Sequence, residues 1–307
     1  MHRPSAVGQA LLAVGDQWTL LILQRALLGR ARRFADWRDE LHIAESVLAS
    51  RLKEMVARDL LVPRSYIENG RTRTEYMLSP RAIDLWPMFV AIWSWERAWV
   101  ARPRPLPDLI HNTCAGSTDV ELGCGACGRW PAAGADIQTA YDPGIFAQVA
   151  VPRLHRRTVR LDASTDPLSY FPETLAIIAD RWSTVVLAAA FVGVRRFADF
   201  QETLGVAPSV LSARLRLFTE LGVFEAAHDD AGENSGYRLT PKGRAFSPTF
   251  VVLIDWAHRW YASESSNSKL TIIHRVCGAT LVPQLRCHTC GDVINRTDIH
   301  FRLPARA

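Results

Sequence analysis

Arg32-Arg-Phe-Ala-Asp-Trp37 occurs again, with one residue changed, as Arg195-Arg-Phe-Ala-Asp-Phe200. Further along, Ser46-Val-Leu-Ala-Ser-Arg-Leu52 returns as Ser209-Val-Leu-Ser-Ala-Arg-Leu215, at the same offset of 163 residues. A repeat at fixed offset means that one structural unit must account for both halves of the chain. The spacing inside the unit suits a helix-turn-helix, with one helix from Phe34 to about Leu41, a brief turn, and a second helix from about Glu45 to Arg58. On that second helix Leu48, Leu52 and Met55 share a face and are expected in the core, while Ser46, Ser50 and Lys53 point away from it. Small polar groups and a cation on the outward side are what a helix entering a DNA major groove requires.

Upstream, Ala6 to Val14 reads as a short apolar helix, and Trp18 to Leu28 as a second that stops at Gly29. Downstream, Leu60-Leu-Val62 begins an extended run, Glu68-Asn69-Gly70 supplies a turn, and Thr72 to Leu78 returns, a hairpin signature. Arg64, Arg71 and Arg73 make this hairpin basic, so helix-turn-helix and hairpin together read as a winged helix whose tip lies along a phosphate backbone or in the minor groove. Ser79-Pro80 then starts a helix to about Val100, kinked or shortened by Pro87. Trp86, Trp93, Trp95 and Trp99 on that helix exceed the needs of one small core, which points to an interface with the other half or another chain.

The second half repeats the plan: Trp182 answers Trp18, Thr240-Pro241 answers Ser79-Pro80, and Trp256 and Trp260 answer Trp95 and Trp99. Its outward helix keeps Ser209, Arg214 and Arg216, but its hairpin, Glu225 to Gly236, is acidic where the first was basic. Carboxylates near phosphates oppose binding, so the first winged helix is expected to be the stronger DNA reader. Arg51 and Arg214 sit on the flank of their helices, where an ion pair to a carboxylate such as Asp36 or Asp199 competes with a phosphate contact. A further basic strip, Arg153, Arg156, Arg157 and Arg160, reads mainly as a solvated linker.

The six cysteines fall into two trios, each led by a histidine. His111-Asn-Thr-Cys114 is followed by Cys124-Gly-Ala-Cys127, and His274-Arg-Val-Cys277 by Cys287-His-Thr-Cys290, again 163 residues apart. Cys-x2-Cys-Gly is a knuckle that lets two thiolates converge on one ion. One Cys3His zinc site per module is therefore expected, with His111, Cys114, Cys124 and Cys127 in the first and His274, Cys277, Cys287 and Cys290 in the second. Four protein ligands close the coordination shell, which suits a structural ion. A thiol switch that ejects zinc on oxidation is the rival reading. No acid, base or nucleophile set near either trio suggests an enzyme.

Trp18-Thr-Leu-Leu-Ile-Leu23, Arg33-Phe34, Leu48-x2-Arg51-Leu52 and Tyr76-x-Leu-Ser-Pro80 resemble the HxlR family of bacterial winged-helix transcription regulators, and the pattern returns at Trp182, Arg196-Phe197, Leu211-x2-Arg214-Leu215 and Tyr237-Arg-Leu-Thr-Pro241. The resemblance implies binding of double-stranded DNA as dimers through the terminal helices, here Trp86 to Trp99 and Phe246 to Trp260. With the unit in tandem, the chain is expected to form a homodimer or to be its own pseudo-dimer through these Trp-rich helices. Redox-sensing members carry a cysteine before the first helices, where this chain has Ser5.

A length of 307 residues with 48% hydrophobic content and a net charge of +5 fits several packed units and tolerates a polyanionic partner. The expected fold is mainly α (α+β): winged helices at 1–102 and 165–263, small β-rich zinc modules at 103–150 and 264–307, and a basic linker at 151–164. The expected protein is a cytoplasmic transcription regulator with two structural zinc ions and no membrane segment, and a small-molecule effector is possible but unnamed. A protein-interaction adaptor is the alternative.

Overall fold

Ser5 opens the first helix by accepting the Gly8 N–H, and Asp16 opens the second by accepting from Trp18 and Thr19. The computed structural model describes residues 4–102, 105–131, 136–142, 145–146, 171–178, 180–228, 234–265 and 269–302. The basic strip at Arg153, Arg156, Arg157 and Arg160 lies outside the described residues, as does the tip of the second hairpin at 229–233.

The first winged helix comprises α1 (Ala6–Val14), α2 (Gln17–Leu28), α3 (Phe34–Leu41), α4 (Glu45–Ala57) and the antiparallel strands β1 (Leu61–Glu68) and β2 (Arg71–Leu78). Asn69 and Gly70 turn the hairpin with left-handed φ of 51° and 71°, a conformation to which Asn-Gly is suited. The helix expected from Ser79 is in fact two, α5 (Pro80–Ile83) and α6 (Trp86–Trp99). Pro87 falls in the first turn of α6, where its missing N–H costs nothing, so it starts a new helix instead of bending an old one.

The first cysteine module contributes β3 (Asp108–His111), β4 (Gly116–Ser117), β5 (Val120–Cys124) and β6 (Ile137–Tyr141). The second winged helix follows as α7 (Pro172–Ile178), α8 (Arg181–Phe191), α9 (Phe197–Leu204), α10 (Pro208–Glu220), β7 (Phe224–His228), β8 (Asn234–Leu239), α11 (Pro241–Arg244) and α12 (Ser247–Tyr261). The second module ends the chain with β9 (Leu270–His274), β10 (Pro283–Cys287) and β11 (Ile299–Arg302).

The two halves are wrapped around each other by a pseudo-two-fold. Helix α1 of the first half packs on α12 of the second, α7 packs on α6, and α6 crosses α12. Trp95 Nε1 donates to the Lys242 carbonyl at 3.0 Å, and its mate Trp256 donates to the Arg81 carbonyl at 2.8 Å. Burial holds the Glu96 carboxyl above the usual range, although the Arg102 guanidinium and the Thr174 N–H at the start of α7 both bind it. One continuous core takes residues from both halves, including Leu23, Trp37 and Phe89 from the first and Phe200, Phe218 and Trp256 from the second. The Trp-rich helices thus meet within one chain.

The modules are exchanged more deeply still. Strand β5 pairs with β10, β3 with β11, and β6 with β9, all antiparallel and all between the two modules. Leu122 lies opposite Leu285, its own mate at the offset of 163, so the pseudo-two-fold runs through that pair. The modules read from sequence as separate units at 103–150 and 264–307 share every one of these sheets.

Candidate metal centres and nucleic-acid face

The strand exchange decides which ligands meet. His111 and Cys114, at the end of β3, come together with Cys287 and Cys290 of the second module, and Cys124 and Cys127, at the end of β5, with His274 and Cys277. Each set has all its ligand atoms within 4.8 Å of one another. All eight expected residues take part, but the grouping of one complete site per module is overturned: each site draws half its ligands from each module. The cause is the β5–β10 pairing, which places each knuckle beside the other module's histidine turn.

The distances fit a tetrahedral ion. Metal–sulfur bonds of about 2.3 Å and metal–nitrogen bonds of about 2.0 Å give tetrahedral edges of roughly 3.8 Å between sulfurs and roughly 3.5 Å between sulfur and nitrogen. Cys114 Sγ and Cys287 Sγ are 3.9 Å apart, and His111 Nδ1 is 3.6 Å from Cys114 Sγ and 3.4 Å from Cys290 Sγ. At the other centre His274 Nδ1 lies 3.3 Å from Cys277 Sγ and 3.4 Å from Cys127 Sγ. Both histidines present Nδ1 and both are buried.

Local electrostatics favour thiolates at the inner knuckle positions. Burial works against charge at Cys287, but the Thr118 hydroxyl at 3.2 Å and the backbone N–H groups of Cys290 and Thr289 outweigh it and bring the thiol down to about 6. At Cys124 burial is likewise outweighed, by the N–H groups of Cys127 and Ala126. At Cys290 the Asp292 N–H lowers the thiol pKa, but burial and the neighbouring Cys287 and Cys114 raise it to about 11. Sequence reasoning did not single out Thr118, because it reaches Cys287 only across the exchanged sheet.

On the first winged helix Ser46, Ser50 and Lys53 are exposed along α4, and Arg64, Arg71 and Arg73 along the wing. Ser50 Oγ lies 3.4 Å from Glu54 Oε1. Among the described residues Lys53, Arg64 and Arg71 have no carboxylate partner, whereas Arg73 pairs with Glu68 at 2.9 Å. Glu68 also holds Arg33, whose guanidinium lies over the Tyr66 ring. Ile67 at the wing tip is 79% exposed, a large apolar side chain that the basic-hairpin reading overlooked.

Arg51 must be corrected. It is 4% exposed and turned inward, with Nε 3.3 Å from Asp16 Oδ1 in an ion pair and Nη1 donating to Glu54 Oε2 at 2.7 Å. Its mate Arg214 pairs the same way with Asp180 at 2.7 Å, though it remains partly exposed. The expected partner Asp36 instead caps α3 by accepting from the Arg32 and Arg33 N–H groups. Both arginines therefore clamp the outward helix to the capping residue of the helix beneath it. On the second half Ser209 and Arg216 are exposed, with Arg216 3.8 Å from Glu220.

No single helix among the described residues is long and apolar enough to cross a membrane. The HxlR-like helix-turn-helix family model matches residues 13–104 and 177–265. An uncharacterized HTH-type transcriptional regulator of Mycobacterium tuberculosis strain CDC 1551, MT3179, is 34% identical over 126 residues, which are 41% of this chain and 79% of that protein. Rv3095 of strain H37Rv, described in the same words, is 33% identical over the same shares. A crystal structure of PA1607, a transcription-factor candidate, is 32% identical, spans 47% of this chain and 96% of its own, and superposes with a TM-score of 0.38. With two winged helices in register and the family pattern over more than half its length, the chain belongs to the HxlR-like helix-turn-helix family of transcriptional regulators.

Proposed function

We propose that this chain binds operator DNA as a single-chain pseudo-dimer, with two zinc ions fastening its halves together. The observation that supports the reading is the continuous core, which joins the two outward helices into one body and so fixes their separation, as a dimeric reader of two half-sites requires. The first half leads. Its α4 offers Ser46, Ser50 and Lys53 to base edges and phosphates, and its wing offers Arg64 and Arg71, with Arg73 shared with Glu68. The second half contributes Ser209 and Arg216 beside a wing carrying Glu225, so the preferred operator is an imperfect palindrome.

Zinc would be held by the two mixed Cys3His sets, where it supplies a structural cross-link in place of a disulfide. A complete set of protein ligands leaves no position for substrate. His111, Cys114, Cys287 and Cys290 tie β3 to the β10 knuckle, and the second set ties β9 to the β5 knuckle. The spacing of the winged helices then depends on both ions.

The test is fluorescence anisotropy of the zinc-loaded chain on DNA upstream of its own gene, titrated with salt. Affinity should fall steeply, and the Lys53→Ala/Arg64→Ala/Arg71→Ala variant should bind more weakly, its log–log salt slope shallower by about 0.9 for each phosphate no longer neutralised. A larger drop in affinity from Arg216→Ala than from that triple variant would move the leading role to the second half. Binding no better than to random DNA would favour an adaptor that grips proteins.

A further inference from the structure

A cavity of about 380 Å³ opens in the second half, between its winged helix and the exchanged strands of the modules. The end of α8, strand β8, helix α12 and strands β6 and β9 enclose it. The pseudo-two-fold shows why it exists. Trp95 and Trp256 occupy equivalent positions, which puts Trp93 in register with Ile254 and Trp86 with Ser247. Strand pairing likewise equates Phe301, opposite Leu109, with Thr139, opposite Ile272. In the first half Trp93 and Phe301 meet edge to face with ring centroids 5.4 Å apart, and Trp86 packs beside the same core. In the second half Ile254, Ser247 and Thr139 line open space.

Three aromatic side chains in one half thus stand against three smaller ones in the other, all at one place. Protein interiors pack densely, and a void left by absent side chains costs stability in proportion to its volume. A volume of this size, largely apolar in its lining, falls in the range of small-molecule sites. Its charge is one-sided. Arg195, Arg238 and Arg244 border it, and no carboxylate does among the described residues. Arg238 approaches Glu225 at 3.9 Å and Arg244 donates to the Leu239 carbonyl, but the Arg195 side chain has no ion pair among the described residues. Phe191 and Phe250 form an aromatic wall, edge to face at 5.5 Å.

We propose that this cavity binds an apolar monoanion, specifically an aryl carboxylate, with its ring against Phe191 and Phe250 and its charge toward Arg195 and Arg244. One such site per chain is expected, because Trp93 and Phe301 take up the equivalent place in the first half. It touches Tyr237 and Leu239 of the wing and Leu270 and Ile272 of the module, so a ligand there contacts both the second winged helix and the body it rests on. The proposal is independent of whether the chain binds DNA.

The test is calorimetric titration of the full, zinc-loaded chain with 2-naphthoate, with decanoate as a second apolar monoanion and 2-naphthol as the uncharged comparison. Naphthoate should bind one per chain and 2-naphthol at least about tenfold more weakly, as expected for loss of a charge-assisted hydrogen bond. Thr139→Phe/Ile254→Trp, which copies the packing of the first half, should abolish binding and keep or raise the melting temperature. Arg195→Ala/Arg244→Ala, altering only the rim, should weaken naphthoate by about tenfold or more and leave 2-naphthol unchanged. Failure of both anions to bind the unaltered chain overturns the proposal. So does naphthoate binding that survives both the filled cavity and the neutral rim.

Discussion

The first half of the chain is full where the second is hollow, and basic where the second is acidic. Trp93 and Phe301 close the first half's seam between winged helix and module, whereas Ile254 and Thr139 leave the equivalent seam open. Among the described residues Lys53, Arg64 and Arg71 stand free of carboxylates on the first half's outward helix and wing, while the equivalent elements of the second half set Arg216 near Glu220 and Arg238 near Glu225. A homodimer could not do this, because its two subunits must share one sequence. Fusing the two copies in one chain keeps the symmetric scaffold, with its reciprocal tryptophan bonds and exchanged strands, and frees each half to specialise. The symmetric features carry the fold, and the departures from symmetry mark where function is to be sought.

The largest expected effect tests the symmetric part. If ligands are exchanged between modules, Cys114→Ser/Cys287→Ser damages one centre and Cys114→Ser/Cys124→Ser damages both. Native mass spectrometry should then find one zinc retained in the first variant and none in the second. Ligands grouped within modules would give the opposite result. Structural zinc contributes roughly 10–16 kcal/mol in small domains, so removing both ions should unfold the modules outright.

The next effect separates the two clamps. Arg51 is almost fully buried, while the Arg214 side chain is 29% exposed, so water replaces the ion pair more readily in the second half. Arg51→Ala should cost about 2–3 kcal/mol, below the usual penalty for breaking a buried pair because Asp16 and Glu54 remain open to solvent. Arg214→Ala should cost about 1 kcal/mol. Chemical denaturation measures both. If Arg51 instead touched phosphate, its removal would change the salt slope of DNA binding with little change in stability.

Much of this architecture was legible in the chain. Capping residues such as Ser79 and Thr240, the Asn69-Gly70 turn and the apolar spacing of Leu48, Leu52 and Met55 act within a few residues of one another, so their consequences can be read locally. The eight candidate metal ligands were legible as residue types at fixed spacing. Their grouping was not, because exchange across a two-fold leaves the offset of 163 unchanged whichever module completes the site. The partner of Arg51 was hidden for a related reason: Asp16 reaches it only through the packing of α2 on α4, 35 residues away. The cavity depends on which side chains face one another across the whole molecule, and a linear repeat comparison does not weigh them together.

The filled seam gives a third test. Trp93→Ile places the second half's residue in the first half. It should open a matching void and remove the edge-to-face packing with Phe301. Truncation of a buried tryptophan to alanine costs about 3–5 kcal/mol. Here the destabilisation is expected nearer 2 kcal/mol, because isoleucine refills part of the space and Trp93 Nε1 has no acceptor among the described residues, so its removal relieves a buried unpaired donor. A neutral substitution would mean that the first half's seam is not tightly filled, and would weaken the account of why the second is open.

The smallest effect lies at a mismatch in the metal turns. After His274-x2-Cys277 the chain continues through Gly278 with φ of 70°, whereas after His111-x2-Cys114 the same left-handed position is held by Ala115 with φ of 54°. A side chain there costs roughly 1–2 kcal/mol, because Cβ crowds the following carbonyl. Glycine in the unfolded chain returns about 0.4–1 kcal/mol of that as entropy. Ala115→Gly should therefore stabilise the turn by about 0.7 kcal/mol, or roughly threefold in the affinity of its centre for zinc, read by competition with a chelator. Gly278→Ala should weaken the other centre by a similar factor. Because the centres are exchanged, the gain should appear at the ion bound by Cys287 and Cys290, and a Cys287→Ser variant should erase it while leaving the Gly278→Ala weakening intact.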